Sequence, residues 1–245
     1  MPKISFEDIS LSIPLDPASN KRPAASDVYA GYKTVLSKIS LELSNSRTAV
    51  IGANGSGKST LLRMVNGLVL PTSGRVMVDS LDTQRHGRAI REVVGFVFTD
   101  PLSQLVMPTG REDIELSLRK KHRHIDDRRE QAKAVLERFG LNRLADQSVY
   151  ELSGGERQLM ALASVLATEP EVVVLDEPST LLDLRNRELL RRTLSALPQQ
   201  LIVSTHDLEL ATDMDRVLVV ENGTIVFDGD PSAGVNHYRD LCGAG

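Results

Sequence analysis

The sequence lacks the features of a secreted or membrane-embedded protein. Its only cysteine is Cys242, so no disulfide can form within the chain and we expect a reducing compartment. No uncharged apolar stretch approaches the ~18 residues of a membrane span. The first seven residues carry Lys3 and Glu7 and lack the apolar core of a signal peptide. These absences predict a soluble cytosolic protein, whose role at a membrane would depend on partner proteins.

The sequence also lacks an excess of basic charge. It has 29 Lys and Arg residues against 33 Asp and Glu residues, which gives a formal net charge of −4. Because nucleic acids attract proteins mainly through their phosphates, this balance argues against a nucleic-acid partner bound through bulk charge. The 245 residues and 41% apolar content are those of an ordinary globular protein with one main domain.

Strand and helix patterns alternate along the chain. The segment Ile4–Ile13 predicts an edge strand or the start of a hairpin, and residues 14–26 predict an exposed loop. Helical periodicity is clearest at Asp126–Phe139 and Gly155–Ala167, and residues 101–153 carry little strand signal. Further strand patterns occur at Leu36–Leu43, Thr48–Ile51, Arg75–Val78, Val93–Phe98, Val172–Leu175, Leu201–Ser204, Val217–Val220 and Thr224–Phe227. The sequence therefore predicts an α/β core with a helical insertion between its strands.

A glycine-rich segment follows the strand pattern that ends at Ile51. It reads Gly-Ala-Asn-Gly-Ser-Gly-Lys-Ser-Thr, and it fits G-x-x-x-x-G-K-[ST] between a strand and a helix. The glycines allow backbone amides to converge on phosphate oxygens, and the positive end of the following helix adds to the attraction. In such a loop Lys58 reaches the β- and γ-phosphates, and the Ser59 hydroxyl ligates Mg²⁺. The alternative is an ordinary glycine turn before a helix. The residues predicted to contact the nucleotide are Gly52, Asn54, Gly55, Ser56, Gly57, Lys58, Ser59 and Thr60.

A pair of carboxylates follows the buried strand pattern Val172–Leu175. The carboxyl ends of parallel strands form the edge at which open α/β sheets bind ligands. There Asp176 would hold Mg²⁺ directly or through water, and Glu177 would orient or deprotonate an attacking water. Without the glycine-rich loop, the same residues would indicate only a strand that ends in a turn.

Two further segments could contribute to such a site. Ser153, Gly154 and Gly155 precede a helical pattern, so they predict a capped helix start with accessible amides. That feature is either a helix cap alone or a second anion-binding position. His206 follows the strand pattern Leu201–Ser204, although a lone histidine in this position is more often structural than catalytic.

In this order, the glycine-rich loop, LSGGERQ, VVVLDEP and STHD resemble an ABC-type ATPase, the nucleotide-binding subunit of ABC transporters. The resemblance covers about residues 27–235. It implies a P-loop NTPase (RecA-like) core with an antiparallel β subdomain, and a helical insertion that carries the signature motif. It also implies a single domain over residues 1–245, with 1–98 and 170–235 as the core and β subdomain and 101–153 as the helical region.

The resemblance implies a dimer that sandwiches two ATP molecules with Mg²⁺. Glu177, His206 and Lys58 are then the catalytic residues, and His206 matches the histidine that contacts the γ-phosphate. The signature segment, which contacts the γ-phosphate bound by the opposite subunit, contributes Ser153, Gly154, Gly155 and Gln158.

Two more assignments follow from the resemblance. Tyr29 fits the aromatic residue that stacks on adenine, with Tyr32 as a second candidate. Asp183 matches the loop that crosses the dimer interface, although Leu181 stands where the family usually has a small residue.

The chain departs from the family at the start of the middle loop. Thr99 occupies the position at which a glutamine commonly ligates Mg²⁺ and senses the membrane partner. Because a threonine hydroxyl is too short to replace that amide, the ligand would be a water, Asp100 or a shifted Gln104.

The segment from Asp100 to Ser117 resembles energy-coupling factor (ECF) ATPases, which drive vitamin and transition-metal import in prokaryotes. This implies a transmembrane coupling subunit, a small membrane substrate-binding subunit, and a position on the cytoplasmic face of the membrane. The Thr-Asp-Pro variant favours the biotin system over cobalt and nickel systems, and the presence of Glu177 favours a homodimer. The alternatives are a conventional transporter cassette and a soluble ABC ATPase that acts as a scaffold or assembly factor.

Overall fold

The computed structural model describes residues 1–15, 28–29 and 31–243, with the backbone alone at residues 28 and 29. The chain divides into two compact units, Met1–Arg91 with Gln200–Gly245, and Glu92–Gln199. The strands are β1 (Ile4–Pro14), β2 (Val28–Tyr29), β3 (Tyr32–Leu43), β4 (Arg47–Ile51), β5 (Ser73–Val78), β6 (Leu81–Asp82), β7 (Val94–Val97), β8 (Val172–Asp176), β9 (Gln200–Ser204), β10 (Arg216–Glu221) and β11 (Thr224–Gly229). The helices are α1 (Lys58–Val65), α2 (Thr83–Val93), α3 (Gly110–Leu118), α4 (Ile125–Arg138), α5 (Gly154–Leu166), α6 (Leu184–Ser195), α7 (Leu208–Thr212) and α8 (Pro231–Gly243). Among the described residues, none of the helices combines the length and the hydrophobicity that a membrane span requires.

The first unit contains an antiparallel sheet in the order β2-β3-β1-β5-β6. β1 lies between two partners, because Ile4 is opposite Leu43 on one side and Val78 on the other. The prediction of an edge strand is therefore wrong, whereas the antiparallel pairing of β1 with β3 agrees with the alternative prediction, the start of a hairpin. Its second partner, β5, begins about sixty residues further along the chain, beyond the reach of a local pattern. Pro14 is the last residue of β1 rather than part of the predicted loop, and residues 16–26 of that loop lie outside the described residues.

The first unit also contains the parallel strands that carry the glycine-rich loop. β4 pairs in parallel with β10 on one side and with β9 on the other, and β11 adds an antiparallel strand to β10. Ala49, Val50 and Ile51 of β4 are buried, as expected for a strand covered on both faces. Since Val50 lies opposite Ser204, the carboxyl ends of β4 and β9 meet at the same edge.

The second unit combines two parallel strands with a helical region. β7 and β8 pair in register, with Val97 opposite Leu175. Helices α3, α4 and α5 enclose an apolar cluster that includes Leu105, Ile114, Leu118, Ala132, Leu136, Leu141, Val149, Leu152, Leu159, Met160 and Ala161. The bounds of α4 and α5 match the sequence predictions to within one residue, and the predicted α/β fold with a helical region is confirmed.

A buried carboxylate joins the loop before α3 to α5 within the second unit. Asp113 is 4% exposed, and its Oδ1 accepts hydrogen bonds from the backbone amides of Val106 (2.9 Å) and Met107 (3.2 Å). Its Oδ2 accepts from the Ser164 hydroxyl of α5 at 2.6 Å. One side chain therefore satisfies three donors.

Replacing Asp113 with Ala should destabilise the protein by about 2–3 kcal/mol, because it leaves three donors without their acceptor. Ser164→Ala removes a single bond, so we expect a loss of about 1 kcal/mol. Urea unfolding followed by circular dichroism measures both variants. Equal losses in the two variants would contradict the role of Asp113 as the shared acceptor.

Candidate functional site

The glycine-rich loop begins where β4 ends. Gly52 has no room for a side chain, since a Cβ there would collide with the carbonyl oxygen of Val220 in β10. Gly57, with a φ of 111°, is the left-handed N-cap of α1, a conformation that favours glycine. The amide of Gly223, in the turn between β10 and β11, donates to the carbonyl oxygen of Ser56 at 2.9 Å and ties the loop to the sheet.

The start of α1 has the properties of a phosphate-binding position. Its N-cap residue makes no side-chain capping bond, and its first turn carries no acidic residue. The Ser56 hydroxyl is buried without a hydrogen-bond partner among the described residues. Uncapped amides at the positive end of a helix attract anions, so the residues present fit the phosphates of a nucleotide.

Lys58 brings its charge into this loop. The residue is 5% exposed, and its Nζ donates to the carbonyl oxygens of Gly52 (2.8 Å) and Ala53 (3.0 Å). The loop backbone therefore holds the ammonium group among the amides that would receive a phosphate.

His206 follows the strand next to the loop. The backbone amide of Thr205 donates to the carbonyl oxygen of Val50 at 3.1 Å, which joins the end of β9 to the end of β4. His206 is exposed directly after this point. The first unit therefore brings His206 and the glycine-rich loop to the same sheet edge.

Asp176 and Glu177 lie at the carboxyl end of β8 in the second unit. Asp176 is fully buried, and carboxylate oxygens are the ligands that Mg²⁺ prefers, so this residue fits a magnesium ligand. Glu177 is partly exposed and has a φ of 51°, in the left-handed region that costs energy for a residue with a side chain. Backbone strain of this kind often accompanies functional positions.

Gln104 and Asp100 are the side chains predicted to replace the middle-loop glutamine as a Mg²⁺ ligand, and both make hydrogen bonds within the second unit. The Gln104 amide bridges two backbone groups, since its Oε1 accepts from the Phe98 amide (3.2 Å) and its Nε2 donates to the Ala161 carbonyl (2.9 Å). The Asp100 carboxylate caps the 3₁₀ turn that follows it, accepting from the Leu102 amide at 3.0 Å. These bonds hold both side chains in place within the second unit.

Ser153 caps α5 through a reciprocal hydrogen-bond pattern, the capping box. Its Oγ accepts from the Glu156 amide at 3.3 Å, and Glu156 Oε2 accepts from the Ser153 amide (2.8 Å) and hydroxyl (2.7 Å). The Ser153 hydroxyl and backbone amide hold the pKa of Glu156 below its usual value. Sequence reasoning missed Glu156, although Ser-x-x-Glu before an apolar run is the signal of a capping box.

The two glycines of the signature motif are packed against the start of α6. A Cβ on Gly154 would lie 3.1 Å from the Leu181 carbonyl oxygen, and one on Gly155 would lie 2.5 Å from the Asn186 side chain. Asp183 caps α6 by accepting from the Asn186 amide at 2.8 Å. The signature motif and the predicted interface loop therefore lie side by side within one unit, and sequence reasoning missed the role of Asn186 in joining them.

Three further residues predicted to contact the nucleotide are Gln158, Tyr29 and Tyr32. Gln158 is 2% exposed in α5, so its side chain is buried. Its Nε2 has no hydrogen-bond partner among the described residues. The side chain of Tyr29 lies outside the described residues, and that of Tyr32 is 49% exposed on β3.

These features define an ATP-binding cassette of the P-loop class. The model of the ABC transporter family matches residues 36–180. The chain belongs to the ATP-binding subunits of the ABC transporter family, and it binds and hydrolyses ATP.

The curated relatives cover most of the chain. BQ02700, an ABC transporter ATP-binding protein of Bartonella quintana, is 44% identical over 208 residues, which span 85% of this chain and 92% of the relative. The biotin transport ATP-binding protein BioM of Rhizobium etli is 41% identical over 211 residues, 86% of this chain and 94% of BioM. The energy-coupling factor transporter ATP-binding protein EcfA1 of Halalkalibacterium halodurans is 39% identical over 197 residues, 78% of this chain and 70% of EcfA1. The predicted resemblance to the ECF type is confirmed.

Solved structures show the same fold. The dimeric ATP-binding cassette MJ0796 in a post-hydrolysis state with ADP and Pi has a TM-score of 0.81 and 25% identity, over 93% of this chain and 98% of that one. The protein cbiO1 from Clostridium perfringens, part of the transporter complex cbiONQ, has a TM-score of 0.76 and 28% identity, over 97% of this chain and 92% of that one. The predicted fold class is confirmed.

Proposed function

We propose that the chain is the ATP-hydrolysing subunit of an ECF importer for a vitamin or a transition metal, with biotin favoured as the substrate. The observation that carries this proposal is the similarity to BioM and EcfA1 at 41% and 39% identity. The ECF-like segment from Asp100 to Ser117 supports the same assignment.

The glycine-rich loop holds the phosphates of ATP in this proposal. The backbone amides before and within the first turn of α1 donate to phosphate oxygens, and Lys58 turns its ammonium group from the Gly52 and Ala53 carbonyls toward the β- and γ-phosphates. Mg²⁺, when bound, neutralises charge on the β- and γ-phosphates. Ser59 and Asp176 would hold the ion, while the Gln104 amide bonds to the backbone groups of Phe98 and Ala161.

Glu177 and His206 carry the hydrolysis step. Glu177 accepts a proton from the attacking water, whose oxygen forms a bond to the γ-phosphorus while the bond to the β–γ bridging oxygen breaks. His206 donates a hydrogen bond to a γ-phosphate oxygen and orients it. The products are ADP and inorganic phosphate.

A second copy of the chain completes each site. Ser153 and the amides of Gly154 and Gly155 bind the γ-phosphate held by the opposite subunit, so ATP favours a closed homodimer. The similarity to the cassette MJ0796, which is dimeric in its post-hydrolysis state with ADP and Pi, supports this arrangement. Closing and reopening would move a transmembrane coupling subunit at the cytoplasmic face of the membrane, beside a small subunit that selects the substrate.

The test is purification of the tagged chain from its native membranes in mild detergent, followed by mass spectrometry of what accompanies it. The proposal predicts two integral membrane proteins, one of them a small substrate-binding subunit, and that subunit would identify the substrate. A pair of conventional permease subunits, or soluble partners alone, would contradict the ECF assignment while leaving the ATPase intact.

A further inference from the structure

The hydroxyl of the signature serine is engaged within its own chain. Ser153 Oγ donates its proton to Glu156 Oε2 at 2.7 Å, and the Ser153 backbone amide donates to the same oxygen at 2.8 Å. A serine hydroxyl carries one proton, so it cannot donate to a second acceptor while this bond persists.

Glu156 also places negative charge at the start of α5. The bonds from Ser153 lower the pKa of Glu156, so the side chain is a carboxylate at neutral pH. The positive end of a helix attracts anions, and here the Glu156 carboxylate of the same helix partly neutralises that positive potential. A phosphate that approaches Ser153 therefore meets a hydroxyl already bonded to Glu156 and a carboxylate of the same charge.

We infer that Glu156 is a positioning residue that competes with the γ-phosphate for the Ser153 hydroxyl. The signature motif accepts the nucleotide of the opposite subunit only after Ser153 leaves Glu156. This inference rests on the proposed function, since it requires Ser153 to bind phosphate across the dimer. Through this competition, Glu156 raises the ATP concentration needed to close the dimer.

The same unit contains a matched control. At the start of α3, the Thr109 hydroxyl donates to Glu112 Oε2 at 2.9 Å, and the Glu112 amide donates to Thr109 Oγ1 at 3.3 Å. Both glutamates close a capping box, and both are the third residue of their helix. Glu112→Gln therefore makes the same change of charge and capping at a helix without an assigned phosphate contact.

The experiment measures self-association of the full chain by light scattering, as a function of a non-hydrolysable ATP analogue with Mg²⁺. We expect E156Q to lower the analogue concentration at half-maximal association by roughly fivefold, because a neutral amide holds the serine hydroxyl less strongly than a carboxylate does. E112Q should leave that concentration unchanged. Thermal unfolding of both variants controls for the loss of a charged cap, and E156A serves as a second variant if E156Q is poorly stable.

Combining the substitution with Ser153→Ala separates the inference from the proposed function. If Glu156 acts mainly through the hydroxyl, S153A should weaken association, and adding E156Q to S153A should shift the half-maximal concentration by much less than about fivefold, since only the like charge is then removed. A full E156Q effect in the S153A background would overturn the inference, since Glu156 would then act by charge alone. Equal behaviour of E156Q and E112Q would also overturn it. Unchanged association of S153A would instead refute the proposed role of Ser153, and the inference with it.

Discussion

Replacing Glu177 with Gln should slow ATP hydrolysis by roughly 10²- to 10⁴-fold while leaving ATP affinity unchanged. The amide has nearly the same shape as the carboxylate, so it preserves the left-handed turn after β8 in which Glu177 lies. It cannot accept the proton of the attacking water, and therefore only the chemical step should suffer. Steady-state phosphate release and nucleotide binding by fluorescence or calorimetry measure the two quantities separately.

The same variant should accumulate as an ATP-bound dimer, because reopening follows hydrolysis in the proposed cycle. Size-exclusion chromatography with ATP and Mg²⁺ detects that dimer. Glu171 offers the control, since it is exposed immediately before β8, at the end of the strand opposite to Glu177. E171Q should keep wild-type turnover. Wild-type turnover in E177Q would remove Glu177 from the hydrolysis step.

Replacing Lys58 with Ala should weaken ATP binding by on the order of 10²- to 10³-fold. Lys58 is 5% exposed, and the Gly52 and Ala53 carbonyls hold its ammonium group inside the loop. The substitution removes the positive charge of Lys58 from the phosphate site. A hydrogen bond from a charged donor to a phosphate is stronger than one between neutral groups. Titration with ATP and Mg²⁺ in a calorimeter measures the affinity.

Lys33 provides the comparison for this substitution. It is an exposed lysine of β3 in the same unit, and K33A changes the net charge of the protein by the same amount. We expect K33A to bind ATP as the wild type does. If K58A retained wild-type affinity with a native circular dichroism spectrum, Lys58 would not belong to the phosphate site.

The phosphate loop could be predicted from the sequence because its function needs contiguous residues. Backbone amides surround a phosphate only when a strand, a run of glycines, Lys58 and a helix start follow one another. The residues that bind the phosphate are therefore neighbours in the sequence. The helices α4 and α5 could be predicted for a similar reason, since their apolar residues repeat with the period of the helix. The Asp-Glu pair after β8 was predictable from its place at the end of an all-apolar strand.

Tertiary structure decided the features that depend on distant parts of the chain. β1 is a central strand because β5 pairs with its second side, and Asp113 is a shared acceptor because Ser164, 51 residues away, donates to it. Gln158 and Gln104 have polar side chains that suit a ligand, but the interior encloses the first and backbone groups hold the second. A local pattern records residue type and short-range periodicity, whereas burial and hydrogen-bond partners arise only when separate segments pack together.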